Sequence, residues 1–138
     1  MTEQAAEICR QKGEAMAYEF HIKGRLPGLN EYTEANRTNP YKGGKMKADA
    51  ERIIIYAIRE QFGRFHIDKP VKLHYLFVEP NGRRDLDNIS SFALKVIQDS
   101  LVKTGILTDD GQKYIKGFTC NFAVDKGNPH IEVRIEEV

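Results

Sequence analysis

Apolar residues recur at two different spacings along the chain, and each spacing predicts one kind of secondary structure. Four segments alternate apolar and polar residues, as half-buried β-strands do. Their apolar positions are Tyr18, Phe20 and Ile22; Val71, Leu73, Tyr75 and Phe77; Phe118, Cys120, Phe122 and Val124; and Ile131, Val133 and Ile135. The alternation therefore predicts four strands.

Two further segments place their apolar residues on one stripe at helical spacing. The first stripe is Met46, Ala50, Ile53, Ile54, Ala57, Ile58 and Phe62, and the second is Ile89, Phe92, Ala93, Val96, Ile97 and Leu101. Gly63 and Gly105 follow the stripes, at positions where glycine commonly ends a helix. The order β-α-β-α-β-β predicts an α+β domain in which two main helices cover one face of a small mixed β-sheet.

Two regions lack a clear period. Residues 1–16 are predicted to be an N-terminal extension of uncertain structure, and residues 17–138 are predicted to form a single domain. Residues 24–45 are polar and rich in glycine, proline and asparagine, which favours a long loop. Loops of this length in a compact domain are usually functional or disordered.

Composition points to a globular domain and to no particular partner. The chain has 138 residues, of which 41% are hydrophobic and 30% charged, and its net charge is +1. The two cysteines, Cys9 and Cys120, fit no metal-binding spacing and indicate a reducing compartment. No apolar run approaches the ~18 residues of a membrane helix. A cytoplasmic protein without a membrane partner is therefore expected.

Several common catalytic motifs are missing. The sequence has no P-loop, no GxGxxG and no HExxH, and its four histidines stand singly. His74 lies inside a predicted strand, where a structural role is the better interpretation. No acidic residue lies two positions before a lysine, which removes the commonest signature of restriction-like nucleases. Aspartate remains as the residue type that could perform chemistry.

Four aspartates lie where predicted elements end. Asp85 and Asp87 stand between a strand and a helix, and Asp109 and Asp110 follow that helix. Carboxylates are natural ligands of Mg²⁺, a hard cation that prefers oxygen. Mg²⁺ can activate water and stabilise the charge that develops on a phosphodiester. The pattern is compatible with a metal site that acts on phosphate.

The neighbouring residues allow both a functional and a structural interpretation. Arg83 and Arg84 directly precede the first aspartate pair and can bind a flanking phosphate. Asp87, however, is also a suitable N-cap for a helix that begins near Asn88. The sequence TDDG is an ordinary turn. Spacing alone favours the structural interpretation.

Three motifs that occur in a fixed order along the chain favour the functional interpretation. RRDLDN is followed by a helix that contains Lys95 and ends in DSL, and then by GILTDDGQ. This set resembles the RusA family of Holliday junction resolvases, most closely over residues 83–112, and the PGLNEY segment near Pro27 adds a weaker match. The resemblance implies a homodimeric endonuclease that cuts four-way DNA junctions symmetrically. It implies Mg²⁺ as the cofactor, with Mn²⁺ as the alternative.

By position, the resemblance makes Asp85, Asp87 and Asp110 the metal ligands and Lys95 the catalytic lysine. Lys95 departs from the family pattern, because it follows Asp87 by eight residues instead of four. Four extra residues add about one helical turn, ~6 Å along the axis with ~40° of rotation. The structural alternative for Lys95 is an i,i+4 salt bridge to Asp99.

The length of the predicted helix raises a question about this site. A helix from residue 88 to about 103 is ~24 Å long, and it separates the two aspartate pairs. One chain can bring them together only if the following turn folds back. The alternative is a site shared across a two-fold axis, with Asp85 and Asp87 of one subunit near Asp110 of the other.

A basic segment precedes the first helix. From Lys23 to Lys47 there are six basic residues and two acidic ones. Lys42 and Lys45 are candidate DNA contacts on a mobile arm, and a solvated loop is the alternative. The expected function is resolution of four-way DNA junctions. A metal nuclease for other branched or single-stranded DNA, and a nucleic-acid-binding dimer without cleavage, are the alternatives.

Overall fold

The computed structural model describes residues 7–10, which form a strand, and residues 16–138. Five strands and three helices lie within these residues. They are β1 (Glu7–Arg10), β2 (Met16–Lys23), α1 (Leu29–Thr38), α2 (Pro40–Phe62), β3 (Val71–Glu79), α3 (Leu86–Lys103), β4 (Ile115–Val124) and β5 (His130–Glu137). The predicted α+β class is confirmed. The predicted extension over residues 1–16 lies outside the described residues, except for β1 and the first residue of β2.

The strands form one mixed sheet in the order β1-β2-β5-β3-β4. All neighbouring pairs are antiparallel except β3 and β4, which are parallel. Parallel neighbours need a crossover connection, and α3 provides it. The D-x-D segment therefore follows the carboxyl end of β3, whereas the D-D segment precedes the amino end of β4. The topology places the two aspartate pairs at opposite ends of a β-α-β unit.

The helices cover one face of this sheet, as predicted. Alternate strand residues are buried in one core together with the apolar stripes of α2 and α3. The buried strand residues include Phe20, Ile22, Leu73, Tyr75, Phe77, Ile131, Val133 and Ile135. Residues between them on the strands, such as Glu19 and Glu132, are partly exposed on the opposite face. The alternation thus assigns most residues of β2, β3 and β5 to the core face or the open face, whereas Phe118 and Val124 on β4 are exposed.

The segment 24–45 corrects the sequence-based prediction, because it is mostly helical. It contains α1 and the start of α2, so three helices are present instead of two main ones. Asn39 ends α1 and caps α2, since its side chain accepts a hydrogen bond of 2.8 Å from the Tyr41 amide. Pro40 begins α2, where its missing N–H costs nothing. Residues typical of loops act here as helix boundaries.

The two predicted helix ends are confirmed. Gly63 (φ 68°) follows α2, and Gly105 (φ 80°) follows Thr104 at the end of α3. Glycine suits both positions because a positive φ is costly for residues with a Cβ atom. No helix in the part of the chain that the structure describes is long and apolar enough to cross a membrane.

Candidate functional site

The D-x-D pair lies at the N-terminus of α3. Asp85 is the N-cap residue, with φ −67° and ψ 154°, and α3 begins at Leu86. The prediction that Asp87 caps a helix starting near Asn88 is therefore wrong by two residues, and Asp87 lies inside the first turn. Both aspartate side chains are exposed, and the Asp85 carboxylate accepts no capping hydrogen bond. Acidic residues are stabilising at this end of a helix, which supports the structural interpretation of the pair. Because both carboxylates are exposed, the pair is also compatible with a cation-binding role.

The two arginines before this pair have different surroundings. Arg83 is exposed, and only its backbone amide bonds within the described residues, to the Asn81 side chain at 3.1 Å. Arg84 is largely buried and donates to the Leu26 carbonyl at 3.0 Å and to the Glu31 carboxylate. Arg84 therefore holds α1 against the start of α3, whereas Arg83 is the arginine available to an external phosphate.

The PGLNEY segment packs directly against RRDLDN. Asn88 in the first turn of α3 accepts a hydrogen bond of 2.8 Å from the backbone amide of Asn30 in α1. Gly28 is buried under the Asn88 side chain, and the rings of Tyr32 and Phe92 are 4.6 Å apart. Two motifs that are far apart in the sequence thus form one structural unit around the start of α3.

This contact predicts the effect of a single methyl group. A Cβ atom at Gly28 would lie 2.7 Å from Asn88 Oδ1, so Gly28→Ala displaces the Asn88 side chain from α1. We expect the free energy of unfolding to fall by about 1–2 kcal/mol, measured by urea denaturation. Gly44→Ala is the matched control, because no atom lies within 4 Å of a Cβ there and the helix gains an alanine.

The effects of Gly28→Ala and Asn88→Ala on stability should also be coupled. Once Asn88→Ala has removed the clashing side chain, Gly28→Ala should cost much less than it does in the wild type. Equal costs of Gly28→Ala in the two backgrounds would contradict the proposed packing.

Lys95 lies in a line of alternating charges between α2 and the turn after α3. Its ammonium is 3.2 Å from Asp99 and 3.4 Å from Asp110. Lys47 on α2 approaches the other oxygen of Asp99 at 3.2 Å. The i,i+4 pair with Asp99 is thus present, and so is a contact with Asp110, one of the predicted metal ligands. The geometry accommodates both interpretations of Lys95.

The charges in this line shift one another's protonation. Hydrogen bonding to Asp99, with smaller effects of Asp99 and Asp110 charge, raises the pKa of Lys95 above its ordinary value. Partial burial alone would raise the pKa of Asp99, but hydrogen bonds from Lys95 and Lys47 outweigh it, and the pKa is lowered. Lys95 is therefore cationic at neutral pH and suited to stabilising negative charge, not to removing a proton.

The lowered pKa of Asp99 predicts a pH-dependent contribution to stability. A carboxyl group with a depressed pKa in the folded state stabilises the fold above its unfolded value of about 4, and this contribution is lost as pH falls through the folded pKa. Asp99→Asn should therefore destabilise the protein most at pH 7, and its cost should shrink progressively as the pH falls below about 4. Urea denaturation over this pH range tests this, and a cost that does not shrink with falling pH would contradict it.

The three predicted metal ligands do not meet within one chain. Lys95 holds Asp110 near Asp99, and Asp99 is ~18 Å from Asp87 along the α3 axis. The turn after α3 therefore brings Asp110 back only as far as Lys95, and not to the D-x-D pair. Among residues 7–10 and 16–138, the only three acidic, cysteine or histidine side chains with ligand atoms all within 4.8 Å of one another are on the open face of the sheet. The β-α-β topology causes the separation of the aspartates.

The basic residues of the predicted mobile arm are in fact on a helix. Lys42 and Lys45 lie in the first turns of α2, and both are exposed. Lys45 pairs with Asp49 at 3.0 Å across one helical turn. Both lysines line an open groove of about 590 Å³ between α1 and α2. The charged residues that line the groove are balanced, with three basic ones (Arg25, Lys42, Lys45) and three acidic ones (Glu31, Glu34, Asp49).

A buried carboxylate near the site forms an ion pair that the sequence did not predict. Glu79, the last residue of β3, is 4% exposed and accepts a bond of 3.0 Å from Arg25. It fixes the end of the strand that leads to the D-x-D segment. The alternation of Val71, Leu73 and Phe77 already places residue 79 on the core face, so the signal was present in the sequence.

No protein-family model matches the chain, and no curated protein does. Among solved structures, the chain is similar to PurLQS from Thermotoga maritima, with 10% identity and a TM-score of 0.36 over 96% of this chain. The chain spans about 20% of the length of that protein chain. A similarity of this size carries no argument about function.

Proposed function

We propose that the protein is a Mg²⁺-dependent, structure-specific endodeoxyribonuclease that resolves four-way DNA junctions in recombination and repair, as the RusA family does. The observation that carries the proposal is the unit at the start of α3. There two exposed aspartates and an exposed arginine lie on a rigid helix end, and the two sequence segments that resemble the family are in contact. Nuclease sites need carboxylates that are free to bind a cation, and Asp85 and Asp87 form no ion pair with another described residue.

The residues have distinct roles in this proposal. Asp85 and Asp87 would hold Mg²⁺, or Mn²⁺ in its place, which supplies activation of water and charge stabilisation at the phosphodiester. Arg83 binds the neighbouring phosphate through its guanidinium. Lys95 provides a positive charge, because its carboxylate neighbours keep its ammonium group protonated. Lys42 and Lys45 bind the DNA backbone along α2, and such contacts should weaken with salt.

The decisive experiment compares a four-way junction with linear duplex of the same sequence. We expect paired, symmetric nicks in the junction with Mg²⁺ and none with a chelator. Tight junction binding without nicking would contradict the nuclease proposal and would support a nucleic-acid-binding dimer without cleavage. Cleavage of flaps or single strands but not of four-way junctions would instead identify the alternative nuclease substrate.

One observation favours the binding dimer as a second candidate. Asp110 is neutralised by Lys95 and lies far from Asp87 in the same chain. If no partner brings another carboxylate to the D-x-D pair, the metal has too few ligands from the protein for tight binding. The exposed lysines and Arg83 would still bind DNA, so this candidate differs from the first only in cleavage.

A homodimer can remove this difficulty, because antiparallel α3 helices would place Asp110 of one subunit near Asp85 of the other. Mixing Asp85→Asn and Asp110→Asn subunits tests the shared site. Each homodimeric variant should be inactive, but the heterodimer should contain one wild-type site and one doubly substituted site. We therefore expect single nicks without complete resolution, seen on denaturing gels.

Asp109→Asn is the matched control for Asp110→Asn, since it is the neighbouring aspartate in the same turn and is exposed. It should retain paired cleavage as a homodimer. A heterodimer of Asp85→Asn and Asp110→Asn that makes no nick would show that the site is not shared in this way.

A further inference from the structure

The open face of the sheet carries a second cluster of potential ligands, remote from the D-x-D pair. Glu19 and His21 lie on β2, and the antiparallel register places His21 directly opposite Glu132 on β5. The ligand atoms of these three residues all lie within 4.8 Å of one another. Phe20 and Ile22, the residues that alternate with them on β2, are buried under the helices. The cluster therefore faces away from α2 and α3.

The two carboxylates in this cluster are paired with imidazoles. His21 Nε2 is 2.6 Å from Glu19 Oε2, and His130 Nε2 is 2.9 Å from Glu132 Oε2. Within the described part of the chain, neither carboxylate forms an ion pair with a lysine or an arginine. Arg134 lies opposite Glu19 and Lys23 lies opposite His130 in the register of β2 and β5, but neither forms an ion pair with the two carboxylates. Two carboxylates and two histidines thus converge at this point of the open face.

Neighbouring groups hold the backbone of His21 and the ring of His130 in position. The Gln61 side chain on α2 accepts from the His21 amide at 2.8 Å and donates to the His21 carbonyl at 2.7 Å, so it holds that backbone as a paired strand would. His130 Nδ1 is 2.9 Å from the Asn128 carbonyl, which can only accept. On a neutral His130 ring, Nε2 then carries the lone pair and faces the Glu132 carboxylate.

Two acceptors that face each other at this distance need a cation or a proton between them. Metal-binding histidines commonly donate their other ring nitrogen to a backbone carbonyl, as the His130 ring beside Glu132 does to Asn128. Imidazole with carboxylate is a ligand set for Zn²⁺ and related ions, whereas Mg²⁺ prefers oxygen alone. The chemistry of the donors therefore separates this cluster from the site at α3.

We propose that Glu19, His21 and Glu132 form a binding site for a first-row divalent transition metal such as Zn²⁺, with His130 as the adjoining ring at Glu132. The ion would cross-link β2 to β5 on the open face of the sheet. A metal bound there stabilises the folded state, because the unfolded chain has no preformed site. The site does not depend on the proposed nuclease function.

Titration of the metal-free full-length protein with Zn²⁺, followed by calorimetry and by metal analysis after dialysis, tests the proposal. We expect one Zn²⁺ per chain at this cluster and a higher melting temperature with Zn²⁺. His21→Ala and Glu132→Gln should each weaken binding by roughly 100-fold and remove the thermal shift. Glu19→Gln is a third variant in case either of these does not fold, and melting without metal checks folding.

His74→Ala is the matched control. His74 lies on the same face of the sheet and pairs with Glu136 at 2.9 Å, but it is outside the cluster. It should bind Zn²⁺ as the wild type does, and so should Asp87→Asn. The proposal fails if the wild type binds no Zn²⁺, which would leave an imidazolium at His130 as the partner of Glu132. It also fails if His21→Ala binds as tightly as His74→Ala, or if Mg²⁺ competes on equal terms.

Discussion

If the proposed function holds, Asp87→Asn should reduce Mg²⁺-dependent cleavage of a four-way junction by at least about 100-fold. A neutral amide would replace the charged carboxylate of a proposed metal ligand, and such an ion supplies several kcal/mol of transition-state stabilisation. The side chain is exposed in the first turn of α3, so the substitution leaves no cavity. Folding and junction binding should persist. Single-turnover cleavage at saturating enzyme measures the chemical step apart from binding.

The control separates loss of metal from loss of charge. Asp109→Asn removes the same charge from an exposed turn and should cleave at the wild-type rate. Higher Mg²⁺ or Mn²⁺ should partly restore Asp87→Asn if the defect is weaker metal binding. Cleavage by Asp87→Asn within threefold of the wild type would refute the assignment of this residue as a ligand.

Arg25→Ala should lower the free energy of unfolding by about 2–3 kcal/mol, because it leaves the buried Glu79 carboxylate without its partner. The expected cost is below that of a fully buried pair, since the Arg25 side chain is 38% exposed and Glu79 is 5% exposed. Glu79→Gln should cost less. Its amide oxygen still accepts from Arg25, whose guanidinium can also reach water.

Urea denaturation of both variants and of the double variant measures this asymmetry. Arg25→Ala/Glu79→Gln should be more stable than Arg25→Ala alone, because a neutral amide is less costly to bury than a charge. Lys45→Ala, which breaks the exposed pair with Asp49, should change stability little. A larger loss for Glu79→Gln than for Arg25→Ala would contradict this account. The pair lies at the end of β3, so Arg25→Ala should also weaken cleavage.

Much of the fold could be predicted from hydrophobic period alone. The strands around Phe20, Tyr75 and Val133, and the helices around Ile54 and Val96, agree with the structure because burial of alternate or stripe positions is a local property of each element. The segment 24–45 was mispredicted because asparagine and proline are typical of both loops and helix starts. Only the contacts of α1 with α2 and α3 decide between these possibilities.

The sequence predicted the residues of a candidate site but not how they are arranged in space. The sequence indicated Asp85, Asp87, Asp110 and Lys95 as a set, and the structure brings the last two together at 3.4 Å. It also shows that, of the two arginines, only Arg83 has a guanidinium that forms no hydrogen bond or ion pair with the described residues. The partners of Arg84 are 53 and 58 positions away in the sequence, beyond the reach of local reasoning.

Local chemistry in the sequence determined four of the five strands, the helices around Ile54 and Val96, the residues at which α2 and α3 end, and the carboxylates at the start of α3. Tertiary structure alone decided which of these groups meet. The parallel pairing of β3 and β4 places the two aspartate pairs at opposite ends of α3, and strand register places His21 opposite Glu132. Distances between such groups depend on how strands pair and helices cross, and a linear pattern does not contain that information.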